Sequence, residues 1–186
     1  RAVISNRADA AGLAAVHAAG IHTEVLDHRA FNGRDEYDSA LQSAIDRHQP
    51  ALIVLAGFMR ILTPNFVRHY QGRLINIHPS LLPAFRGLDT HTRALEAGAR
   101  EHGASVHFVT EELDGGPVIA QITVPVDAGD DADRLAARVL EAEHCLYPTV
   151  IGWFAAGRLQ WQDGAARLDG APLRDPVRLE HAGAAA

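Results

Sequence analysis

Two polar side chains placed two positions apart, Asn76 and His78, are the residues of this chain best suited to catalysis. They lie in the apolar run Leu-Ile-Asn-Ile-His, which is followed by Pro79. Residues i and i+2 of a strand point to the same face, and proline cannot continue a central strand. We therefore expect an amide and an imidazole side by side at the carboxyl end of a strand. Such a pair could stabilise the oxyanion formed when a nucleophile attacks a carbonyl. The alternative is a buried strand whose Asn and His only satisfy nearby backbone groups.

A carboxylate that could complete this pair is Asp114, in the segment His-Phe-Val-Thr-Glu-Glu-Leu-Asp-Gly-Gly that begins at His107. A carboxylate beside His78 would favour the imidazolium and could relay a proton through water. The alternative for Asp114 is an ordinary Asp-Gly turn. His107 could support His78 or an anion, and it could equally be a buried sheet histidine with a structural role.

A third candidate is the loop Gly-Phe-Met-Arg-Ile-Leu that follows the apolar strand predicted over residues 51–56. Loops at the carboxyl ends of parallel strands often form ligand walls. Met59, Ile61 and Leu62 could line an apolar slot, and Arg60 could pair with a carboxylate. The alternative is one helical turn that packs under the next helix.

The elements that must position these groups alternate between strand and helix, which predicts an α/β fold with a doubly wound, mostly parallel, Rossmann-like sheet. Later strands with a tight turn between them predict a mixed C-terminal extension. The predicted strands cover residues 2–5, 22–26, 51–56, the segment around Asn76, 105–109 and 117–126; the predicted helices cover 8–19, 35–48, a segment opening at Thr63-Pro64, 92–97 and about 131–156.

The C-terminal part carries three further predictions. Pro148 lies inside the last helical pattern, so we expect a kink or break there. Residues 158–161 and 165–168 predict a small hairpin, and residues 171–186 a flexible tail. We expect residues 1–170 to form a single domain.

Composition and charge limit the classes of function that are expected for this chain. The chain has 186 residues, a net charge of −6 and no basic stripe, which argues against nucleic-acid binding. No apolar run is long enough for a membrane span, so membrane association is not expected. The single cysteine, Cys145, fits a reducing cytoplasm and a small core position. The 11 histidines do not fall in a metal-ligand spacing, so we expect no metal.

Three segments together resemble the folate-dependent formyltransferases: Asn-Ile-His-Pro-Ser-Leu-Leu-Pro, the block from Gly87 to Leu95, and the segment that ends in Asp114-Gly-Gly-Pro. The similarity is strongest to the branch that acts in purine synthesis. It implies transfer of a formyl group from 10-formyltetrahydrofolate to the amine of glycinamide ribonucleotide, with two small-molecule substrates and no metal.

The resemblance also implies roles for individual residues. The catalytic Asn, His and Asp of the family fall on Asn76, His78 and Asp114. The Leu82-Pro83 bond corresponds to a cis peptide of the family. The folate-contacting positions of the family and one nucleotide-contacting glutamate also have counterparts in this chain. The folate positions are Arg34, Met59, Arg60, Ile61, Leu62, Thr110, Glu111, Glu112 and Leu113, and the glutamate is Glu143.

One departure from the family concerns the start of the chain. Family members begin with a strand, a Gly-Asn-Gly-Ser-Asn loop that holds the substrate phosphate, and a first helix, none of which precedes Ala2 here. Either the chain is incomplete at its N-terminus or the phosphate is held by other residues. We expect this chain by itself to bind nucleotide poorly and to fold poorly.

Three other functions stay open at this point. A methionyl-tRNA formyltransferase would carry a further nucleic-acid-binding domain, and a formyltetrahydrofolate hydrolase would carry an N-terminal regulatory domain. A non-catalytic folate-binding module is the third. The sequence does not indicate an oligomeric state.

Overall fold

A computed structural model describes residues 1–180 of the chain, which divide into two compact units. The first comprises Arg1–Ala51 and Ile61–His69, and the second comprises Leu52–Arg60 and the described chain from Tyr70 onward. None of the helices in the described part combines the length and apolar character needed to span a bilayer.

The first unit is built on a pair of parallel strands, β1 and β2, with three helices. Residue Ala2 is opposite His22 and Ser5 is opposite Val25. The helix α2 buries Tyr37, Asp38, Leu41 and Ala44 on one face, as its apolar spacing of four predicts. The elements are β1 (Ala2–Ser5), α1 (Ala11–Ala18), β2 (His22–Val25), a 3-10 turn (His28–Ala30), α2 (Arg34–Asp46) and α3 (Pro64–His69).

The second unit is built on a five-stranded sheet with the order β10-β6-β5-β4-β3. The pairs β3–β4 and β6–β10 are parallel, and the pairs β4–β5 and β5–β6 are antiparallel. A three-stranded antiparallel sheet, β7-β8-β9, follows the last helix. The elements are β3 (Ile53–Leu55), β4 (Leu74–His78), α4 (Thr90–Glu96), β5 (Glu101–Phe108), β6 (Val118–Pro125), α5 (Ala132–Ala155), β7 (Leu159–Gln162), β8 (Ala165–Leu168), β9 (Ala171–Pro172) and β10 (Val177–Leu179).

The core of the second unit lies where α5 packs on the central strands. Leu135, Val139, Leu146 and Val150 form the buried stripe of α5 at spacings of four, seven and four. This stripe belongs to the same buried cluster as Val106 and other residues of β5 and β6. The predicted α/β class with a mixed C-terminal extension is confirmed, because β5 and β6 are the antiparallel strands.

Three local expectations differ from the structure. The helix α5 runs through Pro148 without a break, and the turns on both sides of the proline are buried against the sheet. Cys145 is exposed on α5 and is not a core residue. Within the expected tail, Ala171–Pro172 forms β9 and Val177–Leu179 forms β10 at the edge of the central sheet. The remainder of that predicted tail, 181–186, lies outside the described residues.

Candidate active site

The structure places His78 at the end of β4 with an acceptor at each ring nitrogen. Nε2 lies 3.0 Å from the carbonyl oxygen of Phe85, and Nδ1 lies 3.5 Å from Oδ2 of Asp114. The side chains of His78 and Asp114 are only 7% and 9% exposed. An imidazolium has an N–H for each of these acceptors, whereas a neutral imidazole has one. The ring of His78 therefore lies between a carbonyl oxygen and a carboxylate.

Asp114 reaches His78 because of the backbone around it. It lies in the connection between β5 and β6 with φ of +48°, a left-handed conformation that Asp adopts more readily than most residues. Two positions on, a Cβ at Gly116 would lie 1.9 Å from the carbonyl oxygen of Phe108, so only glycine fits there. The backbone N–H of Gly87 donates to Oδ2 of Asp114 at 2.9 Å. The carboxylate is thus fixed by a hydrogen bond from a distant loop.

Asn76 and His107 meet because β4 and β5 pair in antiparallel register, with Asn76 opposite His107. Nδ1 of His107 lies 3.0 Å from the carbonyl oxygen of Phe108 and donates to it. Burial lowers the pKa of His107, so the ring is neutral and Nε2 is an acceptor. The amide nitrogen Nδ2 of Asn76 lies 3.5 Å from that Nε2. Because this nitrogen carries two hydrogens, Asn76 can contact His107 and still donate to a ligand.

His107 also faces the carboxylate, since its Nε2 lies 3.8 Å from Oδ1 of Asp114. The structure therefore brings together Asn76, His78, His107 and Asp114, from two strands and one loop. Of the two alternatives for His107, the contacts favour a role in support of the site.

The loop from Phe85 to Gly87 is the part of the site that sequence reasoning missed. It contributes peptide groups, the Phe85 carbonyl to His78 and the Gly87 N–H to Asp114. Peptide groups are the same at every position, so residue types carry no signal for them. The Gly-Leu-Asp block that follows is the nearest sequence signal, since Gly87 and Asp89 have φ of +80° and +57°. The predicted cis bond at Leu82-Pro83 is present in the same segment.

The connection that carries Asp114 also holds the predicted residues Thr110, Glu111, Glu112 and Leu113. Leu113 is 53% exposed, and Glu112 forms an ion pair with Arg86 of the neighbouring loop. Thr110 Oγ1 lies 3.5 Å from the carbonyl oxygen of Glu112. These residues flank Asp114, and their contacts with the folate stay a prediction.

The other predicted folate residues lie in both units. Met59 and Arg60 belong to the second unit, and Met59 is 75% exposed. Ile61, Leu62 and Arg34 belong to the first unit, with Arg34 as the exposed first residue of α2. Their roles stay predictions.

Glu143 lies on α5 one helical turn before Tyr147, whose hydroxyl donates to the carbonyl oxygens of Leu55 and Ile75 at 2.7 and 3.2 Å. Burial raises the pKa of Glu143 to about 7. Burial likewise raises the pKa of Tyr147, with Glu143 as a further cause. A partly buried carboxyl one helical turn from Tyr147 is suited to accept hydrogen bonds from ligand hydroxyls.

A second group of histidines packs beside the site. The ring of His102 is 1% exposed and makes edge contacts with His91 and Phe85, at centroid distances of 5.2 and 5.9 Å. Burial lowers the pKa of His102 to about 4, with the charges of His91 and His78 as smaller causes. Neutral His102 therefore supports Phe85, whose carbonyl contacts His78.

Comparison with known proteins shows the family of the chain. Residues 1–151 match the family model described as formyl transferase, and the chain belongs to that family. It is 60% identical to the phosphoribosylglycinamide formyltransferase of Escherichia coli (strain K12) over 173 residues, which cover 93% of this chain and 82% of that protein. The sequence resemblance is therefore confirmed.

Two further relatives show how far the similarity extends. A solved structure of the Coxiella burnetii phosphoribosylglycinamide formyltransferase in complex with CHES superposes with a TM-score of 0.91 at 52% identity, covering 96% of this chain and 85% of that one. The trifunctional purine biosynthetic protein adenosine-3 of Homo sapiens is 44% identical over 158 residues, which cover 85% of this chain and 16% of that protein.

Proposed function

We propose that this protein transfers the formyl group of 10-formyltetrahydrofolate to the amine of glycinamide ribonucleotide, a step of purine biosynthesis. The observation that carries the proposal is the pair of His78 and Asp114, 3.5 Å apart and nearly buried, at the end of β4. The similarity to two bacterial phosphoribosylglycinamide formyltransferases over more than nine-tenths of the chain supports this substrate pair. The single cysteine supports a cytoplasmic location.

The reaction begins when the neutral glycinamide amine attacks the formyl carbon, which gives a tetrahedral intermediate with an oxyanion. Asn76 and protonated His78 donate hydrogen bonds to this oxygen, and each such donor is typically worth about 3–4 kcal/mol. Because Nε2 of His78 donates to the Phe85 carbonyl in the described structure, that bond must be exchanged for one to the substrate oxygen.

The intermediate collapses by breaking the bond between the formyl carbon and the folate nitrogen. The amine then loses one proton and the leaving nitrogen gains one. Asp114 carries this proton through a bridging water and balances the charge of His78. Neutral His107 orients Asn76 through the contact between its Nε2 and the amide nitrogen.

The predicted folate residues contact 10-formyltetrahydrofolate, and Glu143 contacts the ribonucleotide. Met59, Ile61, Leu62 and Leu113 provide apolar contacts, and Arg34 and Arg60 provide charge for the carboxylates of the folate tail. The segment from Thr110 to Leu113 contacts the pterin, and Glu143 accepts hydrogen bonds from the ribonucleotide.

The test is an incubation of the protein with 10-formyltetrahydrofolate, with and without glycinamide ribonucleotide. Formylated glycinamide ribonucleotide is the expected product, formed in step with tetrahydrofolate. Release of free formate without acceptor would identify a hydrolase, and folate binding without turnover would identify a non-catalytic module.

A further inference from the structure

The first unit holds a group of potential metal ligands outside the residues that the proposed reaction uses. His22 and Glu24 lie two positions apart on β2, and His48 lies just beyond the end of α2. One ligand atom from each side chain lies within 4.8 Å of the other two. Within residues 1–180 this is the one group of three His, Cys, Asp or Glu side chains with such spacing.

The local structure explains why the three side chains converge. Alternation along β2 places His22 and Glu24 on the same face of the strand. The rings of His22 and His48 face each other with centroids 5.4 Å apart and a tilt of 45°. Neither imidazole forms a hydrogen bond with another of residues 1–180, so their nitrogen lone pairs are available to a ligand.

Among residues 1–180, the carboxylate of Glu24 is paired with Arg47. A single guanidinium nitrogen of Arg47 lies 2.8 and 2.9 Å from the two carboxylate oxygens. A carboxylate has about four acceptor positions, so Glu24 can keep this contact and still bind an ion. The guanidinium charge nevertheless opposes a second cation at the same place.

We propose that His22, Glu24 and His48 bind one divalent ion of the first transition row, with Zn²⁺ as the reference ion. Two imidazoles and one carboxylate are a donor set used by zinc and its neighbours, whereas Mg²⁺ and Ca²⁺ prefer oxygen ligands. With bonds of about 2.1 Å, ligand atoms around zinc lie about 3.4 Å apart. His22 is exposed at the start of β2 and His48 lies beyond the end of α2, so both side chains can rotate toward that spacing.

The sequence could not reveal this site because its ligands are 2 and 24 residues apart, without the short repeated spacing of known zinc motifs. The proposal is independent of the formyl transfer proposed above, because the reaction uses none of these residues.

The test is a titration of the untagged protein with Zn²⁺, followed by calorimetry and by competition with a chromogenic chelator. All variants carry Cys145→Ser, so that the exposed thiol cannot bind the ion. We expect a 1:1 complex and no comparable binding of Mg²⁺. His22→Ala, His48→Ala and Glu24→Gln should each weaken binding by about tenfold or more, since even residues outside the ligand set change affinity by 10–100-fold.

Two further variants make the test specific. Arg47→Gln removes the competing cation and should tighten binding, whereas loss of an ordinary structural contact would not. His17→Ala removes an exposed imidazole of α1 and should leave binding unchanged. Zinc should also shift the imidazole proton resonances of two histidines, and these signals should be lost in the His22 and His48 variants. Binding that survives both histidine substitutions, or no 1:1 complex at all, would overturn the proposal.

Discussion

Asp114→Asn should remove most of the catalytic rate while it leaves the fold intact. Oδ2 of Asp114 accepts from Gly87 and faces His78, and Oδ1 faces Nε2 of His107. An asparagine can keep its oxygen at the Oδ2 position, where it accepts from Gly87, and place its amide nitrogen at the Oδ1 position. The substitution therefore removes the negative charge and keeps the hydrogen bond from Gly87.

The size of the effect follows from what that charge does. A positioned acid or base typically contributes a factor of about 10²–10⁴, which is about 3–5 kcal/mol of transition-state free energy. We expect kcat to fall by this factor. The free energy of unfolding should change by less than about 1 kcal/mol, because the hydrogen bond from Gly87 is kept. The KM for the folate should stay within about threefold, because an effect on the transition state alone does not change ground-state binding.

The assay is steady-state formation of tetrahydrofolate and formylated product, with urea unfolding of the same samples. Asp89→Asn is the matched control, since Asp89 is exposed, makes no cap hydrogen bond and has a φ that Asn tolerates. It should keep kcat within about twofold, as surface substitutions usually have small effects. An Asp114→Asn enzyme that retains more than about a hundredth of kcat would refute the role of the charge, since the role requires at least a hundredfold loss.

Three other predictions concern stability. The pKa of Glu143 is raised from 4.5 to about 7, so the wild type should lose stability as pH rises from 5 to 8. Measured by urea unfolding, Glu143→Gln should remove about 1–2 kcal/mol of that loss, a figure that allows for partial exposure. The pKa of His102 is lowered from 6.5 to about 4, so stability should fall as pH falls through this range. His102→Leu should remove about 2–3 kcal/mol of this fall. Equal pH dependence in the wild type and the variant would contradict the prediction. Gly116→Ala should lower the free energy of unfolding by about 2 kcal/mol or more and lower kcat, because the new Cβ meets the Phe108 carbonyl. The control is Gly152→Ala, at a helical position with no neighbour within 4 Å, which should instead stabilise the protein by about 0.5–1 kcal/mol in the same urea unfolding.

The strands and the polar residues at their ends were predictable because their signals are local. The proline after His78 predicts where β4 ends, and the observed strand ends at His78. Asp114 was a weaker prediction, since an Asp-Gly pair is common in turns, and it became specific only through the resemblance to a family. The register that sets Asn76 opposite His107 depends on the pairing of two strands 31 residues apart, and no residue pattern specified it.

The differences arise where packing overrides a local rule. Pro148 lacks an N–H and should weaken a helix, yet α5 continues because Tyr147 and Val150 bury its flanking turns against the sheet. The segment after residue 171 has the composition of a tail. Its strand β10 is nevertheless stabilised by hydrogen bonds to β6, in which Val177 is opposite Ala120. Composition alone could not predict that partner.

The loop from Phe85 to Gly87 contacts both His78 and Asp114. Its Phe85 carbonyl fixes His78 and its Gly87 N–H fixes Asp114, so a shift of the loop would move both partners of the pair together. Arg93 of α4 holds the same loop, since one of its guanidinium nitrogens lies 2.6 and 3.2 Å from the carbonyl oxygens of Arg86 and Leu88. Arg93 of α4 therefore helps to hold the loop that contacts both His78 and Asp114. This is why the chemistry of the two side chains could be predicted from residue types while their geometry required the fold.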